Sequence, residues 1–531
     1  MIKDLRESNV DQIVLKSDVC IVGAGTAGIF LGQQLRQYGL RVLLLERGDQ
    51  IIRRPSQLNE ECLQAGISFK GAELGRGFGL GGTSALWGGQ MIPLAPSDLA
   101  ARTSLSLNAW PISYSEIIPY IELVRQKFSL DMKADADNQE FQKKYFSYAS
   151  EFGENFRLRV SEWLPFKTRN FSQAFSKELN DDPQMEVWLN STVTQFKVNN
   201  ETDNKYIQFI KAKSSNEKLL RVESKFVVIC AGTLESTRLL LALDEANNNL
   251  ISKMESPIGR YFNDHLSMTC GKLKCHNWHH LNSQIAPVFS SGLMRSPRLE
   301  ITNKAQDKYA VTSAFIHFPF VTHGDTGFDL VRNFLRKRQG ELNLSSLSSV
   351  SIGQMVHDLF AIALWKGLYH RLWIPRQSDL LLQIDIEQIP NWNSRLYLSS
   401  KRDGFGQKKL VIDWQITSDD LNVFQVVANL ARNAWYSSRL QHFADLELAL
   451  PEDINMYESL YDVYHPTGSL RMGTNHRNSV VNSDLKSWAL DNCFISSTAV
   501  FPTAGSANPG LTHLAFTARL AEHIHHVNQS Y

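Results

Sequence analysis

Two short stretches hold side chains suited to moving a proton. His465 sits in YHPTGSLRMG and Asn508 in GSANPGLTH. An imidazole titrates near neutral pH and can take the proton of a hydroxyl. A carboxamide both donates and accepts, so it can hold that hydroxyl in one orientation. Pro466 and Pro509 follow directly and bias both residues away from helical dihedrals. Asn508 also suits a helix N-cap, because a helix pattern begins just after it. A lone histidine is more often structural than catalytic. His513, one turn along that helix, reads as an interior histidine. His523, His525 and His526 read as helix-end residues without a metal.

A second kind of chemistry is written near the N-terminus. The apolar run Val19–Val22 reads as a buried parallel strand, and Gly23, Gly25 and Gly28 follow in G-x-G-x-x-G order. A helix is expected from Ala27 to Gln37, stopped by Gly39, then a second buried strand ending at Glu46. Gly23 permits the tight turn, Gly25 a close approach of backbone to a pyrophosphate, and Gly28 close helix–strand packing. The helix N-terminus supplies free N–H groups for the phosphates, with Thr26 just before it among the expected contacts. Glu46 is placed to accept from a ribose hydroxyl, with Arg47 beside it. The pattern points to a dinucleotide and does not separate FAD from NAD.

A second glycine cluster, GRGFGLGGTSALWGG, places seven glycines between Gly75 and Gly89. That density is costly in backbone entropy. Leu80, Leu86 and Trp87 make it too apolar for a linker. It reads as a wall against a flat ring system, with Gly81, Gly82, Ser84, Trp87, Gly88 and Gly89 as the contacting residues.

The two glycine clusters together resemble those of the GMC (glucose–methanol–choline) oxidoreductases. So do VWLNSTVTQF, FVVICAGTLESTRLLL, PIGRYFNDH, EQIPNWNSRLYLSS, HPTGSLRMG and FISSTAVFPTAGSANPGLTHLAF. The resemblance runs through nearly the whole chain. It implies FAD as cofactor, with Val193, Ala231, Gly232, Ala499, Val500, Asn508 and Pro509 added to the contacts, Ala499 and Val500 through backbone N–H groups. It implies His465 as base and Asn508 as its partner in oxidising an alcohol by hydride transfer to flavin N5. Some relatives tether the flavin through a histidine at the position of Leu86, so the FAD here is expected to be noncovalent. Similarity to the sugar-oxidising branch implies a sugar, glycoside or polyol as substrate. Trp392 suits stacking on a pyranose face and equally a place in the core. The activity expected is that of a dehydrogenase or oxidase on CH–OH donors, dehydrogenase favoured. Its electron acceptor would be oxygen, a quinone, a cytochrome or a protein. GMC-type lyases, a decarboxylase and a non-catalytic FAD-binding subunit are the alternatives; the His465–Asn508 pair favours oxidation.

These residues need a scaffold that joins distant segments. The chain has 531 residues, 43% hydrophobic and 21% charged, with a net charge of +1. That is ordinary globular composition without a nucleic-acid footprint. Six cysteines make neither a disulfide framework nor a complete zinc set, and no metal is expected. No signal peptide or spanning segment is expected, and a cytoplasmic location follows as the default. The expected fold is mixed α/β. It has a Rossmann-like FAD-binding domain (10–100, 185–268 and 455–531) interleaved with a substrate-binding domain (101–184 and 269–454) of antiparallel sheet covered by helices. Leu381–Trp414 reads as antiparallel strands, and residues 328–375 as helices. VRNFLRKRQG and MVHDLFAIALWKGLYHRLW within the latter could touch a membrane surface. Packing on the substrate domain is the favoured reading.

Overall fold

The apolar run ending at Val22 is the centre of the first sheet. The computed structural model describes residues 1–130, 139–199, 204–323, 326–339, 351–450 and 457–530. In it, strand Gln12–Val22 pairs in parallel with Val42–Leu45 on one side and Leu219–Ile229 on the other. Its last four residues are buried, as expected of a parallel strand covered on both faces. Met185–Leu189 and Ile2–Asp4 extend the sheet on one side, Tyr206–Lys213 and Thr192–Asn199 on the other. Cys493–Ile495 adds to Leu219–Ile229 from the far end of the sequence, giving eight strands. The fingerprint helix spans Thr26–Gln37, and the C-terminal helix Gly510–Gln529.

The second sheet has ten strands. Its antiparallel centre consists of His265–Cys275, Asp379–Glu387, Ala314–His317, Leu293–Ile301 and Phe156–Trp163. Leu381–Trp414 does not form one set of strands. Asp379–Glu387 belongs to the ten-stranded sheet, whereas the hairpin Arg395–Arg402 with Lys408–Asp413 joins Leu63–Gln64 in a separate three-stranded sheet. Pro390 and the asparagines of NWNS break the strand between them.

Each large sheet has its own apolar core. The core of the parallel sheet takes in helix Tyr114–Lys127 and residues Leu164, Phe171, Phe175 and Leu179, which the boundaries expected from sequence assign to the other domain. Helix Tyr114–Lys127 packs beside the C-terminal helix, where Tyr120 donates to Glu522.

Of residues 328–375, helices cover Gly327–Gln339 and Ile352–Tyr369, while 340–350 lie outside the described residues. Among the described residues no helix is long and apolar enough to cross a membrane.

Candidate active site

The two glycine clusters meet backbone to backbone. Gly81 donates its N–H to Ala24 O at 2.9 Å. A Cβ on Gly82 would stand 2.9 Å from Gly25 Cα, and one on Gly28 1.9 Å from Gly23 O. Glu46 ties the loops together: its buried carboxylate accepts from the N–H of Ala24 (3.0 Å), Gly48 (2.9 Å) and Gly79 (3.0 Å). Burial raises its pKa and these three bonds oppose the rise. A carboxylate offers about four lone-pair directions, so Glu46 keeps capacity for a hydroxyl while serving as the clasp.

These loops line a cavity of about 540 Å³. Of the residues expected from sequence, Gly23, Gly25, Thr26, Glu46, Arg47, Gly82, Trp87, Gly88, Gly89, Val193, Ala231, Gly232, His465, Asn508 and Pro509 all reach it. Arg47 does so with its guanidinium committed to Glu60 and Asp403. Five do not line it. Gly28 is pressed against Gly23, and Gly81 (φ 98°) lies against Asn170. Ser84 is buried, donating to Gly81 O and accepting from Phe171 N–H. Ala499 and Val500 were expected to offer N–H groups to the cofactor. Both spend them on Ser497, on its hydroxyl and its carbonyl respectively, in a 3-10 turn. Trp392 is also off the cavity: it is about half exposed, with Arg260 over its ring and Tyr261 at its edge.

His465 and Asn508 do come together. The Asn508 amide nitrogen lies 3.5 Å from His465 Nε2. Asn508 is not a cap: Pro509 holds the N-cap position, and the C-terminal helix has no side-chain cap bond. Its Oδ1 is buried without a partner. The His465 loop is held from several sides. Its N–H donates to both carboxylate oxygens of Asp264, at 3.0 and 2.9 Å. The hydroxyls of Thr233 and Thr498 donate to Pro466 O at 2.7 and 2.8 Å. Tyr464, just before it, takes a left-handed φ of 66°, a strain that persists only when surrounding contacts enforce it.

Sequence reasoning assigned no role to His265, the last residue of PIGRYFNDH. Its Nδ1 lies 3.1 Å from His465 Nδ1, and its Nε2 lies 3.4 Å from Ala504 O. A carbonyl only accepts, so the network assigns the proton to His265 Nε2, leaving Nδ1 as the acceptor. His465 Nδ1 must then carry a proton, and His465 Nε2, on the Asn508 side, is a bare lone pair. Burial, then the neighbouring His265 and Arg298, hold the His465 pKa well below the usual imidazole value; burial also lowers His265. Both rings are therefore neutral at pH 7. Asp264, His265 and His465 lie close enough for a metal ion. The two Nδ1 atoms face each other, and the Asp264 carboxylate accepts from the backbone N–H groups of His265 and His465. His513 is both interior and at the cavity, its Nε2 buried without a partner and its pKa lowered by burial to about 4.

A further wall comes from the antiparallel sheet. Arg298, His317, Gln383 and Asp385 line the same cavity. Arg298 donates to Gln90 Oε1 (2.9 Å) and lies 3.4 Å from Asp385. His317 Nε2 lies 3.0 Å from Asp385 Oδ2, and Gln383 donates to Ser267 and Tyr461. These residues are scattered over 88 positions in three strands, a separation no local motif encodes.

Residues 390–517 match the family model of the GMC oxidoreductases' C-terminal domain, and residues 16–59 match the FAD binding domain model. The chain thus carries a C-terminal segment similar to that of the GMC oxidoreductases and an N-terminal one similar to an FAD binding domain. No curated protein matches its sequence. Among solved structures it is similar to pyridoxine 4-oxidase from Mesorbium loti (15% identity, 96% of this chain and 99% of that one, TM-score 0.59). It is also similar to Aspergillus oryzae RIB40 formate oxidase (14% identity, 97% and 99%, TM-score 0.59). At such identities the likeness is one of fold. The protein is an FAD-dependent oxidoreductase. The cavity fits that group: Gly23, Gly25, Gly82, Gly88 and Gly89 line it with bare backbone, the N-terminus of helix Thr26–Gln37 opens on it, and Asn508 Oδ1 is buried there without a partner.

Proposed function

We propose that this oxidoreductase oxidises an alcohol group on a sugar, glycoside or polyol. The observation that carries the reading is the His465–Asn508 pair, facing the same cavity as the two glycine loops. Bound noncovalently, FAD supplies the hydride acceptor. Gly23, Gly25, Thr26, Glu46, Gly82, Trp87, Gly88 and Gly89 would hold it. His465 Nε2 takes the hydroxyl proton as the carbinol C–H bond breaks, so the substrate loses one proton and one hydride. Asn508 holds the hydroxyl through its amide. His465 is neutral before the reaction and cationic after it, and Asp385 is the nearby carboxylate that favours the cation. Arg298, Gln383, Asp385 and His317 give the sheet side of the cavity mixed donors and acceptors, which suits a substrate with several hydroxyls.

The test is anaerobic bleaching of the flavin by sugars, glycosides, polyols, simple alcohols and choline. Bleaching by a carbohydrate or polyol, lost in His465→Ala with FAD retained, is the expected result. Bleaching only by simple alcohols or choline removes the carbohydrate assignment.

A further inference from the structure

The helix beginning at Ile352 has the wrong face turned outward. Ile352 is 77% exposed, Val356 59%, Phe360 66% and Leu368 70%, with Leu364 also exposed between them. A spacing of four sets such residues along one side of a helix. The side toward the protein is held by Asp358, which accepts from Gly327 N–H and the Gln354 amide, and by buried Trp365. The neighbouring helix, Gly327–Gln339, adds Phe334, 60% exposed. Single exposed leucines are ordinary, but a contiguous apolar row marks an interaction surface.

Among the described residues, the exposed Lys, Arg, Asp and Glu side chains of these two helices share one sign. Arg336, Lys337 and Arg338 end the first helix, and Lys366 lies in the last turns of the second; all four are exposed. The aspartates of the two helices, Asp329 and Asp358, are buried. The chain as a whole is nearly neutral at +1, so the cationic rim is local.

We propose that this face docks on an anionic lipid bilayer. The Ile352–Leu368 row would enter the headgroup boundary, and the basic residues would contact lipid phosphates. An amphipathic helix lying in the membrane plane has this composition, apolar on one side and Lys/Arg at its edge. A second copy of the chain fits worse, because a two-fold contact would set the cationic rims against each other. The docked face is bonded to the cavity wall: the Gln339 side chain donates to Trp87 O at 2.8 Å and Ser84 O at 3.3 Å. Docking thus places the flavin site beside the membrane.

The test is co-sedimentation of the FAD-loaded protein with vesicles of phosphatidylcholine alone or mixed with phosphatidylglycerol. Wild type is expected to sediment with the mixed vesicles at low salt and to be released by high salt. Val356→Glu/Phe360→Glu should abolish sedimentation while flavin absorbance and Tm stay unchanged. Lys337→Gln/Arg338→Gln, which leaves the apolar row intact, should weaken it about 30-fold. Failure of wild type to bind the mixed vesicles overturns the proposal, as does unchanged binding by both variants. A wild-type dimer that Val356→Glu/Phe360→Glu splits, without vesicle binding, overturns it in favour of self-association.

Discussion

Replacing His265 tests whether the proton network, and not only the presence of His465, sets the rate of flavin reduction. His265 Nδ1 is the acceptor for His465 Nδ1–H at 3.1 Å. In His265→Ala that N–H is left buried without a partner, which costs about 1–3 kcal/mol. The other tautomer, protonated at Nε2, escapes the cost but has no lone pair where the hydroxyl proton must go. At about 1.4 kcal/mol per tenfold, the competent tautomer falls by roughly 5- to 150-fold. The assay is anaerobic stopped-flow reduction of the flavin by a substrate identified in the bleaching screen, with FAD content and Tm measured alongside. His265→Ala should lower the limiting rate by that factor with little change in substrate affinity. His265→Gln should recover much of it, since one amide can accept from His465 and donate to Ala504 O. His465→Ala should cost about 10²- to 10⁴-fold, and the double variant should be no slower than His465→Ala alone, because the two act through one lone pair. Wild-type reduction in His265→Ala, or losses that multiply in the double variant, would refute the reasoning.

Two further outcomes follow from burial and from close backbone contact. Burial lowers the pKa of His513 to about 4. A depressed folded-state value means its contribution to stability is present above the unfolded value near 6.5 and is lost as pH falls. Between pH 6.5 and 5 that loss is about 2 kcal/mol. Thermal melts of wild type and His513→Gln across this range should converge as pH drops, the shared carboxyl titrations cancelling; parallel curves would contradict it. Gly28→Ala drives a methyl to 1.9 Å from Gly23 O and should abolish FAD loading, read as the flavin-to-protein absorbance ratio. Gly32→Ala on the same helix meets only the flexible end of Met185 and should load normally.

The sequence alone was enough for whatever is steric and local. The strand ending at Val22, the glycines that must lack a Cβ and the helix from Thr26 are short-range requirements, each visible within a few residues. The carboxylate at position 46 belongs with them. The family resemblance added the pairing of His465 with Asn508, 43 residues apart. What folding decided was who meets whom at long range. His265 faces His465 across 200 positions, and Asp385 faces Arg298 across 87. Such contacts follow from strand order and register, which no local pattern states. The Ala499 and Val500 N–H groups bond Ser497, two and three residues back, in a 3-10 turn that the strand-like run before it does not announce. The Ile352–Leu368 row makes the same point at the surface. Periodicity declares that one side of a helix is apolar, but only the neighbours brought there by the fold determine whether that side is covered.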